Sequence, residues 1–318
     1  MPLIEGAGVR DPQAESATTR ARRFTPSQCT RCSRVLEGAL AFRVPEGDTI
    51  HRIAANLGPK LVGKTLERVT TQGLVRNLAG QEVLSVTAHG KHLVIELSNG
   101  TYLRAHLGMY GRHRVYPRKE GEAMIAKMSP GRLTMTMTTD NLVALWIGAR
   151  TIEISDRRAP LHGHAVHSLG PDVLGDEFDP VVAATRAAEA GTRTMADVLL
   201  DQRIAAGIGN VYKSEVLFLR GVDPRRRTAT VSHAALVEIY ETARELMLEN
   251  LGPGARATRD RIAGDAPGDE RYFVYGRSGK PCRRCKTPVE CYPLGNPPRW
   301  TWSCPRCQPP GGASGDES

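Results

Sequence analysis

The first sustained pattern of apolar and polar positions begins near residue 45. Ile50, Ile53, Ala54 and Leu57 fall at i, i+3, i+4 and i+7, one face of a helix, with Asp48 or Thr49 placed to cap it and Gly58-Pro59 to stop it. The period then shortens to two. Val83, Ser85 and Thr87 alternate with Leu84, Val86 and Ala88, and Leu93, Ile95 and Leu97 alternate ahead of a Ser98-Asn99-Gly100 turn into Tyr102-Leu103. Leu133, Met135 and Met137 interleave with threonines, and Leu142 to Trp146 is an apolar run. Residues 60–155 read as a β-sandwich or barrel of short antiparallel strands behind one helix.

Residues 179–251 return to the helical period. Thr194-x-x-Asp197 is a capping box ahead of Val198-Leu199-Leu200. Gly207-Ile208-Gly209 breaks the chain, and Asn210 is placed to cap a second helix through Arg220. Ser232 opens a third, whose Leu236, Ile239, Tyr240, Ala243 and Met247 keep one face. Residues 1–44 carry no such pattern, residues 252–270 read as a mobile loop, and residues 309–318 read as a disordered tail. The fold class is α+β.

Charge narrows the function. The 318 residues suffice for about two domains, and 43 Lys+Arg against 34 Asp+Glu leave a formal charge of +9, which favours a polyanionic partner. No apolar run is long enough to span a membrane. The excess is concentrated: residues 271–308 hold eight basic side chains against the single acid Glu290, a candidate phosphate-binding surface.

The cysteines point to metal. Seven are present, Cys29 and Cys32 near the start and five near the end, with no visible secretory signal. Cys282-x-x-Cys285 and Cys304-x-x-Cys307 form two knuckles, the pattern of a zinc ribbon. Four thiolates leave no open position, so the Zn²⁺ is structural and braces a β-hairpin bearing Arg299. Cys291 is left over as a plain buried residue.

Three further segments carry two readings each. Gly207-Ile208-Gly209-Asn210 offers N–H donors to a phosphate at a helix start, or supplies only the geometry of a helix–turn–helix junction. Lys91, between His89-Gly90 and His92, reaches a phosphate from a hairpin tip or is a solvated turn lysine. Met109 and Tyr110, between Gly108 and Gly111, wedge into a base stack or pack under their loop. Pro45-Glu46-Gly47-Asp48 is, on composition alone, an ordinary helix start.

Taken in order, Pro45-Glu46-Gly47-Asp48-Thr49, Gly90-Lys91-His92-Leu93, His106-Leu107-Gly108-Met109-Tyr110-Gly111, Leu200-Asp201-Gln202 with Gly207 to Glu215, and Val274-Tyr275-Gly276-Arg277 through the four cysteines to Gln308 are similar to the formamidopyrimidine-DNA glycosylase / endonuclease VIII family. The match covers about residues 45–308, and the Pro-Glu-Gly opening resembles the endonuclease VIII branch, which handles mainly oxidised pyrimidines. The resemblance implies an N-terminal helix with a β-sandwich catalytic domain over 45–160, a helix–two-turn–helix DNA-binding domain over 161–270 and a zinc finger over 271–308. It implies a base-excision-repair DNA glycosylase and AP lyase working on damaged DNA, a monomer in the cytoplasm, nucleoid-associated when bound. Pro45 would be the amine nucleophile, Glu46 the acid/base at the sugar ring, and Lys91 the cation beside the lesion phosphate. Asn210, Arg277 and Arg299 would bind the DNA backbone. Met109 and Tyr110 would fill the gap left by the flipped base.

Two departures stand out. Many family members carry Glu at the fifth motif position, where this chain has Thr49 beside Asp48. Pro45 also lies inside the chain, where its nitrogen is a tertiary amide that cannot form an iminium. Three readings answer this. Val44 stands where a GTG start codon would read as valine, so residues 1–43 would precede the true start. Alternatively the Arg-rich segment is removed by processing, or it is a genuine extension to which Cys29-x-x-Cys32 adds something. If Pro45 stays blocked, the chain is a non-catalytic damaged-DNA-binding protein.

Overall fold

The alternating segment folds into two antiparallel sheets of four strands each. In the computed structural model the described residues are 44–73, 76–156, 169–260 and 271–310; Cys29, Cys32 and the expectations for residues 1–43, 261–270 and 311–318 lie outside them. Helix α1 (Gly47–Leu61) precedes β1 (Arg68–Thr71), β2 (Val83–His89), β3 (His92–Leu97), β4 (Tyr102–His106), β5 (Arg112–Pro117), β6 (Leu133–Thr138), β7 (Leu142–Ile147) and β8 (Thr151–Ser155). One sheet runs β1-β6-β7-β5 and the other β2-β3-β4-β8. Their inner faces close on one core with Leu93, Ile95, Met135, Met137 and Trp146, which α1 covers with Ile50, Leu57 and Leu61.

Three local expectations are corrected here. Helix α1 does not stop at Gly58-Pro59 but carries Pro59 in its last turn, and Val62 N donates to Gly58 O at 2.9 Å. Near a helix end the missing N–H removes a single bond, and the burial of Leu61 outweighs it. The N-cap of α1 is Glu46, so neither Asp48 nor Thr49 caps it. A second helix, α2 (Arg118–Lys127), follows β5 without any apolar face to announce it. Its one buried residue is Gly121, and a Cβ there would lie 2.4 Å from Val143 Cβ on β7, so only glycine lets the helix seat on the sheet.

The second half holds α3 (Pro180–Glu189), α4 (Met195–Leu200), α5 (Asn210–Leu219) and α6 (His233–Glu249). The capping box forms as the spacing requires: Asp197 N donates to Thr194 Oγ1 at 3.2 Å. Ser232 likewise caps α6 through Ala235 N at 3.3 Å. The predicted face of α6 is buried with Tyr212, Val216 and Leu217 of α5. The opposite side of α5 packs Val211 and Phe218 against Tyr272, Tyr275 and Trp302, where β9 (Glu290–Leu294) and β10 (Arg299–Ser303) pair as an antiparallel hairpin. Residues 252–260 are not a loose loop. Arg256 and Thr258 are buried, and Ala257 exchanges two hydrogen bonds with the Asn250 side chain, at 2.8 and 2.7 Å.

Candidate active site and DNA interface

Glu46 sits where the two halves meet. Its side chain is 1% exposed, yet the carboxylate is fully engaged. It accepts from Val211 N at 2.8 Å, Gly209 N at 3.1 Å and Tyr212 N at 3.4 Å. These are donors that the first turn of α5 leaves without helix partners, and the helix dipole favours an anion there. The cap role expected of Asn210 therefore belongs to a residue from the other half of the chain. Gly209 is obligatory for this contact, because a Cβ on it would lie 2.1 Å from Glu46 Cδ. Gly47 N donates to Gly207 O at 3.0 Å, so the two residues that follow Pro45 are fixed against the Gly207–Gly209 turn.

Lys91 converges on the same turn. Its ammonium donates to Ile208 O at 2.6 Å, which excludes the solvated turn lysine. Burial draws its pKa down to about 8, against the pull of the Glu46 carboxylate. The hairpin tip is held by Asp172, which accepts from Gly90 N at 2.9 Å and Leu174 N at 3.0 Å and pairs with His51 Nε2 at 2.6 Å. Burial raises the Asp172 pKa, but the His51 and backbone donors outweigh it and hold it below the usual carboxylate range.

Sequence reasoning missed Arg256. Its guanidinium donates to both Asp48 oxygens, at 2.9 and 2.5 Å, to Thr49 Oγ1 at 2.8 Å and to the Val44 carbonyl at 3.1 Å. It lies 3.9 Å from Glu46 Oε1 and stacks over the Tyr212 ring at 5.2 Å. Burial disfavours its charge, and the Asp48 and Glu46 carboxylates more than offset that. The Asp48-Thr49 departure has a physical meaning here: the two residues form the receptor for one buried arginine. Nothing local in Gly254-Ala255-Arg256-Ala257 signals this, since the partners are 208 residues apart.

The remaining expected residues are placed as follows. Met109 and Tyr110 are 51% and 69% exposed at the β4–β5 turn, so they do not pack under their loop. Asn210 lies at the surface side of the α5 start, its Nδ2 donating to Trp300 O at 2.9 Å. Arg299 is exposed on the adjoining hairpin. Arg277 departs from the expectation of a DNA contact. It is 6% exposed, and its guanidinium donates to the carbonyls of Phe273 at 2.7 Å and Pro281 at 3.1 Å, bracing the approach to the finger. Cys291 is partly buried on β9.

Cys282, Cys285, Cys304 and Cys307 come together with all four sulfurs within 4.8 Å of one another. The Cys282–Cys307 and Cys285–Cys304 separations are 3.8 and 3.4 Å. A tetrahedron with Zn–S of about 2.3 Å has edges of about 3.8 Å, so this donor set fits one metal ion. Between the halves runs a cleft of about 1100 Å³ whose lining includes Asp48, Thr49, Arg52, Lys60, Arg112 and Arg256, a mainly cationic wall beside Val44.

The formamidopyrimidine-DNA glycosylase N-terminal domain matches residues 44–158, and the formamidopyrimidine-DNA glycosylase H2TH domain matches residues 169–261. The chain belongs to the formamidopyrimidine-DNA glycosylase / endonuclease VIII family. It is 35% identical over 268 residues to the DNA-(apurinic or apyrimidinic site) lyase Nei2 of Mycolicibacterium smegmatis, covering 83% of this chain and 99% of that one. It is 32% identical over 288 residues to the formamidopyrimidine-DNA glycosylase of Geobacillus kaustophilus, covering 83% and 98%. Its fold matches that of Lactococcus lactis formamidopyrimidine-DNA glycosylase bound to DNA containing an AP site, with a TM-score of 0.68, 20% identity and coverage of 83% and 100%. Among the described residues, no helix is long and apolar enough to cross a membrane.

Proposed function

We propose that this protein is a bifunctional DNA glycosylase and AP lyase of base excision repair that removes oxidised bases, chiefly pyrimidines, from damaged DNA. The observation that carries the reading is the convergence of Glu46, the residue after Pro45, and Lys91 on the Gly207–Gly209 turn at the start of α5. The domains are taken as 45–160, 161–270 and 271–308. The protein works as a monomer on DNA in the cytoplasm.

The chemistry assigned to Pro45 needs its nitrogen free. A secondary amine attacks C1′ of the damaged nucleotide as the base leaves with a proton, and the sugar stays linked as an iminium. The iminium acidifies C2′–H, and loss of that proton expels the 3′ phosphate; the conjugated iminium then acidifies C4′–H, and loss of this second proton expels the 5′ phosphate. In the 318-residue chain the nitrogen is acylated by Val44. The active form is therefore the one that begins at Pro45, and the family match opening at residue 44 supports that boundary. A second reading, a non-catalytic damaged-DNA binder, applies to a chain that keeps Val44, whose carbonyl Arg256 holds in place.

Glu46, fixed on three amides, is the acid/base at the sugar ring oxygen. Lys91 holds the phosphate beside the lesion, and Asn210 and Arg299 hold the backbone from the turn and the finger. Met109 and Tyr110 occupy the space of the extruded nucleotide. The four cysteines would hold one structural Zn²⁺, which fixes the finger and supplies no chemistry to the reaction.

The test separates the two half-reactions. In protein beginning at Pro45, Glu46→Gln should suppress release of an oxidised pyrimidine from a duplex much more than cleavage at a preformed abasic site. Equal loss of both activities would remove Glu46 from the glycosylase step.

A further inference from the structure

Lys213 is the one buried cation of the α5 start that the chemistry above leaves unused. It lies in the first turn of a helix, where the dipole is positive and a cation is unfavourable. It is also fully buried, at 0% exposure, where a methionine or leucine of similar length would fit the surrounding core more cheaply. A residue that breaks two local rules at once is expected where function demands it.

Its contacts show what it does there. The ammonium donates to Asn210 Oδ1 at 2.7 Å, Thr301 Oγ1 at 2.7 Å and Trp300 O at 3.4 Å. An ammonium has no acceptor, so the amide of Asn210 must turn its oxygen inward. Its nitrogen then faces the finger, where Trp300 O takes one hydrogen at 2.9 Å. The second hydrogen of that NH₂ group is left for an outside acceptor. Glu46 makes this possible by capping α5 in place of Asn210.

We propose that Lys213 is a positioning residue of the DNA-backbone site: its buried ammonium locks the Asn210 amide with the nitrogen toward the DNA and gives that neutral contact an ionic component. The proposal rests on the reading of Asn210 and Arg299 as phosphate contacts. Asn210 lies between the ammonium and the phosphate, so the charge acts through the amide rather than by touching DNA.

A pH signature accompanies the geometry. Burial lowers the Lys213 pKa to about 7. The groups facing it are Glu46 from the start of α1, Cys291 on β9 and Asp197 on α4, which favour the charged form, and Arg299 on β10, which opposes it. A bound phosphate adds a negative charge and raises the pKa. Binding near neutral pH then takes up protons, and affinity falls as pH rises through 7 to 8. Lys91, at about 8, contributes a decline of its own at higher pH. The difference between wild type and a Lys213 variant isolates the Lys213 part.

The experiment uses the full chain and a duplex with a tetrahydrofuran abasic analogue, which cannot form an iminium. Affinity is read by fluorescence anisotropy between 50 and 200 mM KCl, on the order of the range over which counterion release is resolved. Proton uptake is read by calorimetry in two buffers of different ionisation enthalpy at about pH 7.5, within the window set by linkage. Lys213→Met should lower the salt slope by about 1 and abolish the Lys213 share of proton uptake. Thr301→Val removes a tie to the finger and keeps the charge. Because it also takes one acceptor from the buried ammonium, it should lower the melting temperature and move the proton uptake to lower pH without abolishing it.

Equal slopes for wild type and a folded Lys213→Met would overturn the proposal and leave Lys213 a plain tie between α5 and the finger. If that variant does not fold, the wild type can still overturn the proposal, because absence of proton uptake on binding contradicts a titrating buried ammonium at the site. Failure of the wild type to bind the duplex would instead remove the phosphate reading of Asn210 and Arg299, and this inference with it.

Discussion

Arg256 shows how one side chain can define a site that no local motif announces. It makes four hydrogen bonds, to Asp48, Thr49 and Val44, and the pair with Asp48 is almost completely buried on both sides. Breaking such a pair leaves a buried charge without compensation, at a cost of about 3–5 kcal/mol. Arg256→Met should therefore lower stability by that order in thermal or urea unfolding. Asp48→Asn combined with Arg256→Met should recover most of the loss, because both charges are then gone. Equal destabilisation by the single and double variants would show that the arginine acts by packing rather than by charge. Met109 and Tyr110 are the opposite case, large apolar side chains held out in solvent. Replacing both with Ala should slow excision of a damaged base from a duplex more than cleavage at an abasic site, which needs no base extrusion. Identical losses on the two substrates, measured in single turnovers, would make the pair structural.

At the level of elements, α5 is the component on which everything else is assembled. Its N-terminus receives Glu46, one flank closes the helical core, and the other flank seats the finger hairpin through Val211 and Phe218. The finger packs on α5 through a small apolar cluster separate from the two larger cores, so the metal should fix its fold rather than that of the whole chain. Cys304→Ser should lose the bound zinc and most DNA affinity while the cooperative unfolding of the sandwich persists. Full zinc content in that variant, by atomic emission, would refute the four-cysteine site.

Much of this level was legible in sequence. Strand alternation marked a sandwich or barrel of antiparallel strands, Thr194 and Ser232 marked helix starts, and the cysteine spacing placed the finger. Helix α2 was not legible, because Arg118-Lys119-Glu120-Gly121-Glu122 buries only a glycine. The cap on α5 was not legible either. Asn210 satisfies the local rule, but a carboxylate 165 residues away from Val211 wins the site once the halves meet. Local propensity cannot register a partner that arrives only with the tertiary fold.

Across the whole molecule, the two halves are joined along one seam, and the proposed chemistry lies on it. Glu46 reaches α5, Lys91 reaches Ile208, Asp172 ties Gly90 to His51, and Arg256 closes over the Val44–Thr49 segment. This places the Pro45 nitrogen at the edge of a cationic cleft, where a negatively charged backbone would pass. The central claim is that this nitrogen, once freed from Val44, is the nucleophile. The most direct measurement is borohydride trapping on DNA with an abasic site, run side by side on the 318-residue chain and on protein beginning at Pro45, with mass spectrometry confirming each N-terminus. The form with a free Pro45 should yield a covalent protein–DNA adduct, and the verified full-length chain should bind the same DNA without being trapped. Robust trapping of the intact full-length chain would contradict the assignment of Pro45 and move the nucleophile to a lysine, with Lys91 the first to be replaced.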